Sequence, residues 1–160
     1  MTIKVGDKLP SAKLKYMGPS GPAEITTDEL VKGKKVALFG LPGAFTPTCS
    51  AKHVPGFVQH AEALQKKGVG AIVCVSVNDA FVMGAWAKDQ KVGDSVVMLA
   101  DGSGAFTKAL GLELDLSARG MGLRSQRFAL VTEDGVVTHL SVEEPGGFEV
   151  SRAEAVLETL

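Results

Sequence analysis

Ala71-Ile72-Val73-Cys74-Val75-Ser76-Val77 is a nearly unbroken apolar run. A strand of this kind has no wet face and must be covered on both sides, which points to parallel strands inside an α/β fold. Lys35–Gly40 and Val96–Ala100 read as two more buried strands. Helical periodicity fills the intervals. A helix beginning at Pro47 should run to about Lys67 and stop at Gly68, with Val54, Phe57, Val58, Ala61 and Leu64 as its apolar stripe. Pro55-Gly56 falls inside it and predicts a kink or a break. Asn78-Asp79 caps a helix carrying Phe81, Val82, Ala85 and Trp86, and Asp101-Gly102-Ser103-Gly104 turns into a short helix over Ala105–Leu110.

The flanking segments complete the order. A short strand is expected at Ala12–Tyr16. Thr27-Asp28-Glu29-Leu30 reads as a cap and the first turn of a helix stopped by Gly33. Gly111–Ser125 reads as irregular. Arg127–Thr132 and Val136–Val142 should pair through the turn Glu133-Asp134-Gly135. Ser151 should cap a last helix whose inner face is Ala153, Val156, Leu157 and Leu160. Parallel strands joined by helices, with an antiparallel edge, give a mixed central sheet flanked by helices on both faces. This α/β order is the thioredoxin-like arrangement, expected as one domain over residues 1–160.

Composition removes several classes of function. The 17 basic and 18 acidic residues leave a net charge of −1, too little field to recruit nucleic acid or an anionic membrane. With one Tyr and one Trp there is no aromatic stacking platform. The apolar runs are strand length, far below a membrane span. Met1–Asp7 lacks the apolar core of a signal peptide, and a cytoplasmic protein is expected. In that compartment the two cysteines should be reduced, catalytic or simply buried rather than a permanent disulfide.

The chemistry concentrates between the first buried strand and the helix after it: Pro42-Gly43-Ala44-Phe45-Thr46-Pro47-Thr48-Cys49. Thr46 suits the N-cap and Pro47 the first helical position, where a missing N–H costs nothing. Cys49 then stands at the third helical position, among unpartnered amides at the positive end of the helix dipole, where a thiolate is favoured. Bringing a thiol from about 8.5 to about 6 takes roughly 3.4 kcal/mol. A helix terminus supplies ~0.3–1 kcal/mol, and up to ~2 in good geometry, so a cation or further donors must contribute. The Thr46 hydroxyl could accept from the Cys49 amide and offer its proton to a substrate oxygen. Pro42 and Pro47 stiffen the loop, and Gly43 permits close backbone approach.

Pro42-x-x-x-Thr46-x-x-Cys49 resembles the peroxidatic motif of peroxiredoxins, thiol peroxidases on a thioredoxin-like scaffold. The string from Phe39 to Ser50, Cys74-Val75-Ser76-Val77-Asn78-Asp79, Leu99-Ala100-Asp101-Gly102, Arg127-Phe128-Ala129-Leu130-Val131 and Gly146-Gly147-Phe148-Glu149-Val150-Ser151 resemble the type II, peroxiredoxin-5-like subfamily. The resemblance covers essentially the whole chain. It implies that Cys49 attacks the peroxide bond and becomes a sulfenic acid, that Thr46 holds the peroxide, that Pro42 shields the sulfur, and that Arg127 supplies the missing positive charge. Arg124, three residues earlier, rivals Arg127, although a solvated basic face explains it as well. Cys74 is either a small buried hydrophobe or a resolving cysteine that condenses with oxidised Cys49. The late resolving cysteine of some relatives is absent. Glutathione, a glutaredoxin or thioredoxin would therefore reduce the enzyme from outside, with no metal or prosthetic group required. The resemblance also implies a homodimer, with Phe45, Phe81 and Trp86 as candidate contacts that core packing would explain equally well.

Two other readings compete. Cys49 could be a redox sensor that reacts once per chain. It could also pair with His53, one turn further along the helix, as an acyl hydrolase; no orienting partner for His53 is apparent, and a surface histidine is the expectation. His60 and His139 complete no metal-ligand cluster, and Asp101-Gly102-Ser103-Gly104 reads as a turn with a helix cap rather than a phosphate loop.

Overall fold

A computed structural model describes residues 2–160 and shows seven strands in one mixed sheet, ordered β2-β1-β5-β4-β3-β8-β9. The strands are β1 (Lys13–Gly18), β2 (Gly21–Thr26), β3 (Lys35–Leu41), β4 (Val69–Ser76), β5 (Val97–Ala100), β8 (Phe128–Glu133) and β9 (Val136–Val142). β3, β4 and β5 run parallel, while β1 and β8 pair antiparallel on either side of them. Period-two alternation divides β3 between two cores. Ala37, Phe39 and Leu41 face α2 (Val54–Gln59), α3 (Ala61–Lys66), α4 (Ala80–Asp89) and α6 (Ala153–Glu158). Val36 and Leu38 face α1 (Thr27–Val31) and α5 (Ala105–Leu110). The apolar runs read from the sequence are thus covered on both sides. Burying each large side chain such as Phe39, Phe57 or Trp86 contributes about 1.5–3 kcal/mol.

Several local expectations need correction. The chain pairs β1 with β2, a hairpin hidden by Gly21-Pro22, which reads as turn chemistry; Pro22 is tolerated because β2 is an edge strand. Thr26, not Thr27, caps α1, in a capping box with Glu29. The Thr27 hydroxyl is instead buried and donates to the Pro10 carbonyl. Gly111–Ser125 is not irregular: β6 (Glu113–Leu116) and β7 (Gly122–Ser125) form a separate antiparallel ribbon. Ser151 does not cap α6. Its amide and hydroxyl donate to the Glu143 carboxylate, and Arg152 holds the cap position. The β8–β9 turn is as expected, with Asp134 (φ 49°) and Gly135 (φ 84°) both left-handed.

The helix expected over 47–67 is in three pieces. A single π-turn spans Cys49–His53, then α2 and α3 follow, separated at His60 (φ −99°, ψ 10°). Pro55 supplies the physical reason for the first irregularity. It has no N–H, and its ring presses on the carbonyl one turn back, so the preceding turn widens and the Val54 amide reaches the Cys49 carbonyl.

Candidate active site

The parallel strands end where the chemistry begins. β3 stops at Leu41, the loop over residues 42–46 doubles back, and helical backbone starts at Pro47. Cys49 is therefore the third helical residue, as the sequence required, and its side chain has no exposure. Phe128, the first residue of β8, pairs with Gly40 near the end of β3. That register delivers Arg127 to the loop. Its Nη2 donates to Cys49 Sγ at 3.2 Å. The sulfur is sealed from bulk water but has the cationic neighbour that the helix terminus alone could not replace.

His53 fixes the other arm of the same guanidinium. Arg127 Nη1 donates to His53 Nδ1 at 2.9 Å, and His53 Nε2 then donates to the Ser151 carbonyl at 3.0 Å. The imidazole has no exposure and lies among Phe39, Phe57 and Phe148. The Phe148 ring also sits 5.9 Å from the Arg127 guanidinium carbon. Thr46 and Pro42 stand at the rim. An open cavity of about 580 Å³ reaches them and Arg127, walled by Leu114, Leu116 and Met121.

Comparison with known proteins places the constellation. The Redoxin family model matches residues 4–157. The chain is 53% identical to peroxiredoxin-2C of Oryza sativa subsp. japonica, over 99% of this chain and 98% of that one. It is also 53% identical to the chloroplastic peroxiredoxin-2E of Arabidopsis thaliana, covering 99% of this chain and 70% of the relative. The chain belongs to the peroxiredoxin family. Among solved structures, reduced Prx3 from Vibrio vulnificus in complex with H2O2 superposes with a TM-score of 0.95 at 51% identity, over 99% of each chain. Peroxiredoxin 5 from Alvinella pompejana gives 0.87 at 34%, over 98% of this chain and 97% of that one. The fold is thioredoxin-like, and the enzyme is a thiol peroxidase.

Within this peroxiredoxin the sequence-derived site residues have unequal fates. Thr46 does not cap the Cys49 amide. Phe45 adopts a left-handed φ of 63°, which tightens the loop and puts the Gly43 carbonyl 2.7 Å from the Thr46 hydroxyl, which donates to it. Arg124 is not on a solvated face. Its Nε donates to the Met121 carbonyl at 3.0 Å and its Nη1 reaches the Pro42 carbonyl at 3.5 Å. Gly43 makes room for it, since a Cβ there would stand 2.7 Å from Arg124 Nη1. Trp86 is no surface contact: it is fully buried and donates to Ser50 Oγ at 3.0 Å. Phe45 and Phe81 are 53% and 66% exposed. His60 pairs with Glu154 at 3.0 Å.

Cys74 lies in β4 on the same sheet face as Cys49, and both thiols are free. Complete burial, reinforced by Cys49, pushes the Cys74 thiol well above its ordinary value. The expected surface histidine is the largest miss. His53 lies one turn before Phe57 on the inner stripe of the helix, so an i, i+4 relation to a core aromatic was the available signal. Glu143 had none, because it comes from the loop after β9.

Burial first, and the Arg127 charge second, push the His53 pKa down from 6.5 to about 3, with Glu143 and the Ser151 carbonyl opposing. The unfolded chain therefore takes up a proton near pH 6.5 that the folded chain refuses until about 3. The stability held by the neutral ring is complete above the unfolded value and is lost as pH falls through that window. Between pH 7 and 5 the loss is about 2 kcal/mol. Urea unfolding at both pH values should show it, and His53→Leu should remove it. Equal pH slopes in the two proteins would contradict this. Glu143 shifts in the same direction, and its stability contribution is likewise lost as pH falls, but by a different balance of causes. Burial pushes its carboxyl up, but the Ser151 hydroxyl and the Ser151 and Glu149 amides outweigh burial and hold it below its ordinary value.

Proposed function

We propose that Cys49 is the nucleophile for hydrogen peroxide and alkyl hydroperoxides, served by Thr46, Pro42 and Arg127, and that an external thiol completes the cycle. The contact of Arg127 Nη2 with Cys49 Sγ at 3.2 Å carries this reading, because it supplies the positive charge that holds a thiolate. The sulfur attacks one peroxide oxygen and the O–O bond breaks. The proton of the attacked oxygen passes to the departing alkoxide, leaving a sulfenate on Cys49 and an alcohol or water. Arg127 stabilises the charge developing on the departing oxygen. Thr46 exchanges its Gly43 bond for one to the peroxide, and Pro42 keeps water from the sulfur. The Vibrio vulnificus relative, solved with H2O2, supports the substrate class.

The protonated sulfenate next condenses with glutathione, releasing water and forming a mixed disulfide. A second thiol, from glutathione, glutaredoxin or thioredoxin, reduces that disulfide and restores Cys49. The structure favours an outside reductant because Cys74 is a protonated core thiol. The cycle itself calls on no metal or bound cofactor. A cytoplasmic thiol pool would serve this cycle. The exposed rings of Phe45 and Phe81 beside the active-site loop support a homodimer across that face. Native mass spectrometry after one equivalent of peroxide and excess glutathione reads both points. The expected species has twice the chain mass and one glutathione per chain on Cys49. An internal Cys49–Cys74 disulfide would overturn the outside reductant, and a monomer would overturn the dimer.

A further inference from the structure

Phe45 is the strained residue of the active-site loop. Its φ of 63° is left-handed, a conformation that a bulky residue rarely adopts and that persists only where its surroundings enforce it. The side chain is 53% exposed, so close packing is not what enforces it. A hydrogen bond one residue earlier supplies the restraint. The Ala44 amide donates to Asn78 Oδ1 at 3.0 Å. The same oxygen accepts from the Ser76 hydroxyl at 2.5 Å, and Ser76 is fully buried. Topology brings these partners together. Leu41, the last residue of β3, pairs with Ser76, the last residue of β4, so the chain leaving one strand passes the chain leaving the other. Asn78 itself has little freedom, because the next residue, Asp79, caps α4 by accepting from the Val82 amide at 2.8 Å.

We infer that Asn78 is a positioning residue for the peroxidase reaction, a latch whose side-chain oxygen holds the loop over residues 42–46 in the strained shape that sets Thr46 and Pro42 at the mouth of the active-site cavity. The inference rests on the reading that Thr46 and Pro42 serve Cys49. Without the latch, Phe45 would relax to a negative φ. The turn around it, closed by the Thr46 hydroxyl donating to the Gly43 carbonyl at 2.7 Å, would move as well. Arg124 does not replace the latch. Its Nη1 reaches the Pro42 carbonyl at 3.5 Å, a weak contact at the other end of the loop. Chemistry selects the residue type. An amide oxygen has two lone pairs and takes both donors at once. A short side chain fixed between a strand end and a helix cap also loses little freedom in doing so.

The test compares two reactions of one sulfur. Oxidation of Cys49 by hydrogen peroxide needs the shape of the loop, whereas alkylation by iodoacetamide needs only access and a thiolate. Asn78→Ala should lower the ratio of the oxidation rate to the alkylation rate about tenfold, the effect of one lost hydrogen bond. Asn78→Asp keeps an oxygen in the same place and should restore the ratio to within about threefold of wild type. In a Phe45→Gly background the left-handed φ carries no strain, so Asn78→Ala should there lower the ratio by less than about threefold. An unchanged ratio in Asn78→Ala overturns the inference. So do equal losses in both backgrounds, and so does a failure of Asn78→Asp to restore the ratio. Thr46→Val is the reference: if it also leaves the ratio unmoved, the reading of Thr46 fails, and if it lowers the ratio while Asn78→Ala does not, only the role of Asn78 fails. Should Asn78→Ala not fold, hydrogen exchange at the wild-type Ala44 amide decides. Exchange slowed at least about a hundredfold relative to an open chain supports the inference, and an unprotected amide overturns it.

Discussion

Cys49→Ser is expected to lower peroxide turnover, with glutathione and glutaredoxin supplied, by at least about a thousandfold. A serine hydroxyl in the same place stays protonated, because the Arg127 contact cannot make up for the far higher pKa of an alcohol. An oxygen nucleophile also has no counterpart of the sulfenate, so the two-electron oxidation on which the cycle depends has nowhere to go. No second sulfur can substitute. Burial holds the thiol of Cys74, the other cysteine, protonated. The variant should fold normally, since the change is small and the site keeps its remaining contacts. Turnover above a tenth of the wild-type rate would remove Cys49 from the mechanism. The same assay separates an enzyme from a one-shot sensor, because a sensor stops after one equivalent of peroxide.

The second large effect is on stability. Gly40 lies in β3 between β4 and β8, opposite Phe128. A Cβ there would stand 2.2 Å from Phe128 Cε1 and 2.7 Å from Cζ. The ring is buried and has no free direction in which to yield. Overpacking of this kind costs about 1–3 kcal/mol, and a clash this close with a fully packed ring belongs at the upper end. Gly40→Ala should therefore lose about 3 kcal/mol in urea unfolding, or roughly 10 °C in Tm. Because Phe128 follows Arg127 in the chain, activity should fall as well. Phe128→Leu added to Gly40→Ala should recover part of both losses. A Gly40→Ala protein within about 0.5 kcal/mol of wild type would show that the ring relaxes freely.

The sheet, its covering helices and the place of Cys49 were legible because each has a local signal. Buried strands are apolar runs, Asp79 is a cap that accepts from the Val82 amide at 2.8 Å, and Cys49 sits three residues into a helix begun by proline. Arg127 was legible through resemblance. What the sequence hid has no short-range pattern. Glu143 and His53 are 90 residues apart and meet through the backbone of Ser151. Arg124 looks solvated until its contact with the Gly43 loop is known. Ser151 was misread because its neighbours suit a cap, yet a distant carboxylate takes both of its donors. The Gly21-Pro22 strand and the β6–β7 ribbon were missed for a related reason: turn-forming residues stand at strand ends, where edge geometry tolerates them.

The depth of Cys74 has a practical corollary. A thiol reagent can reach that sulfur only when the helices covering its face of the sheet lift away, so its slow modification keeps time for the opening of the core. Read beside the modification of Cys49, it gives one molecule two internal clocks, one for the loop and one for the fold.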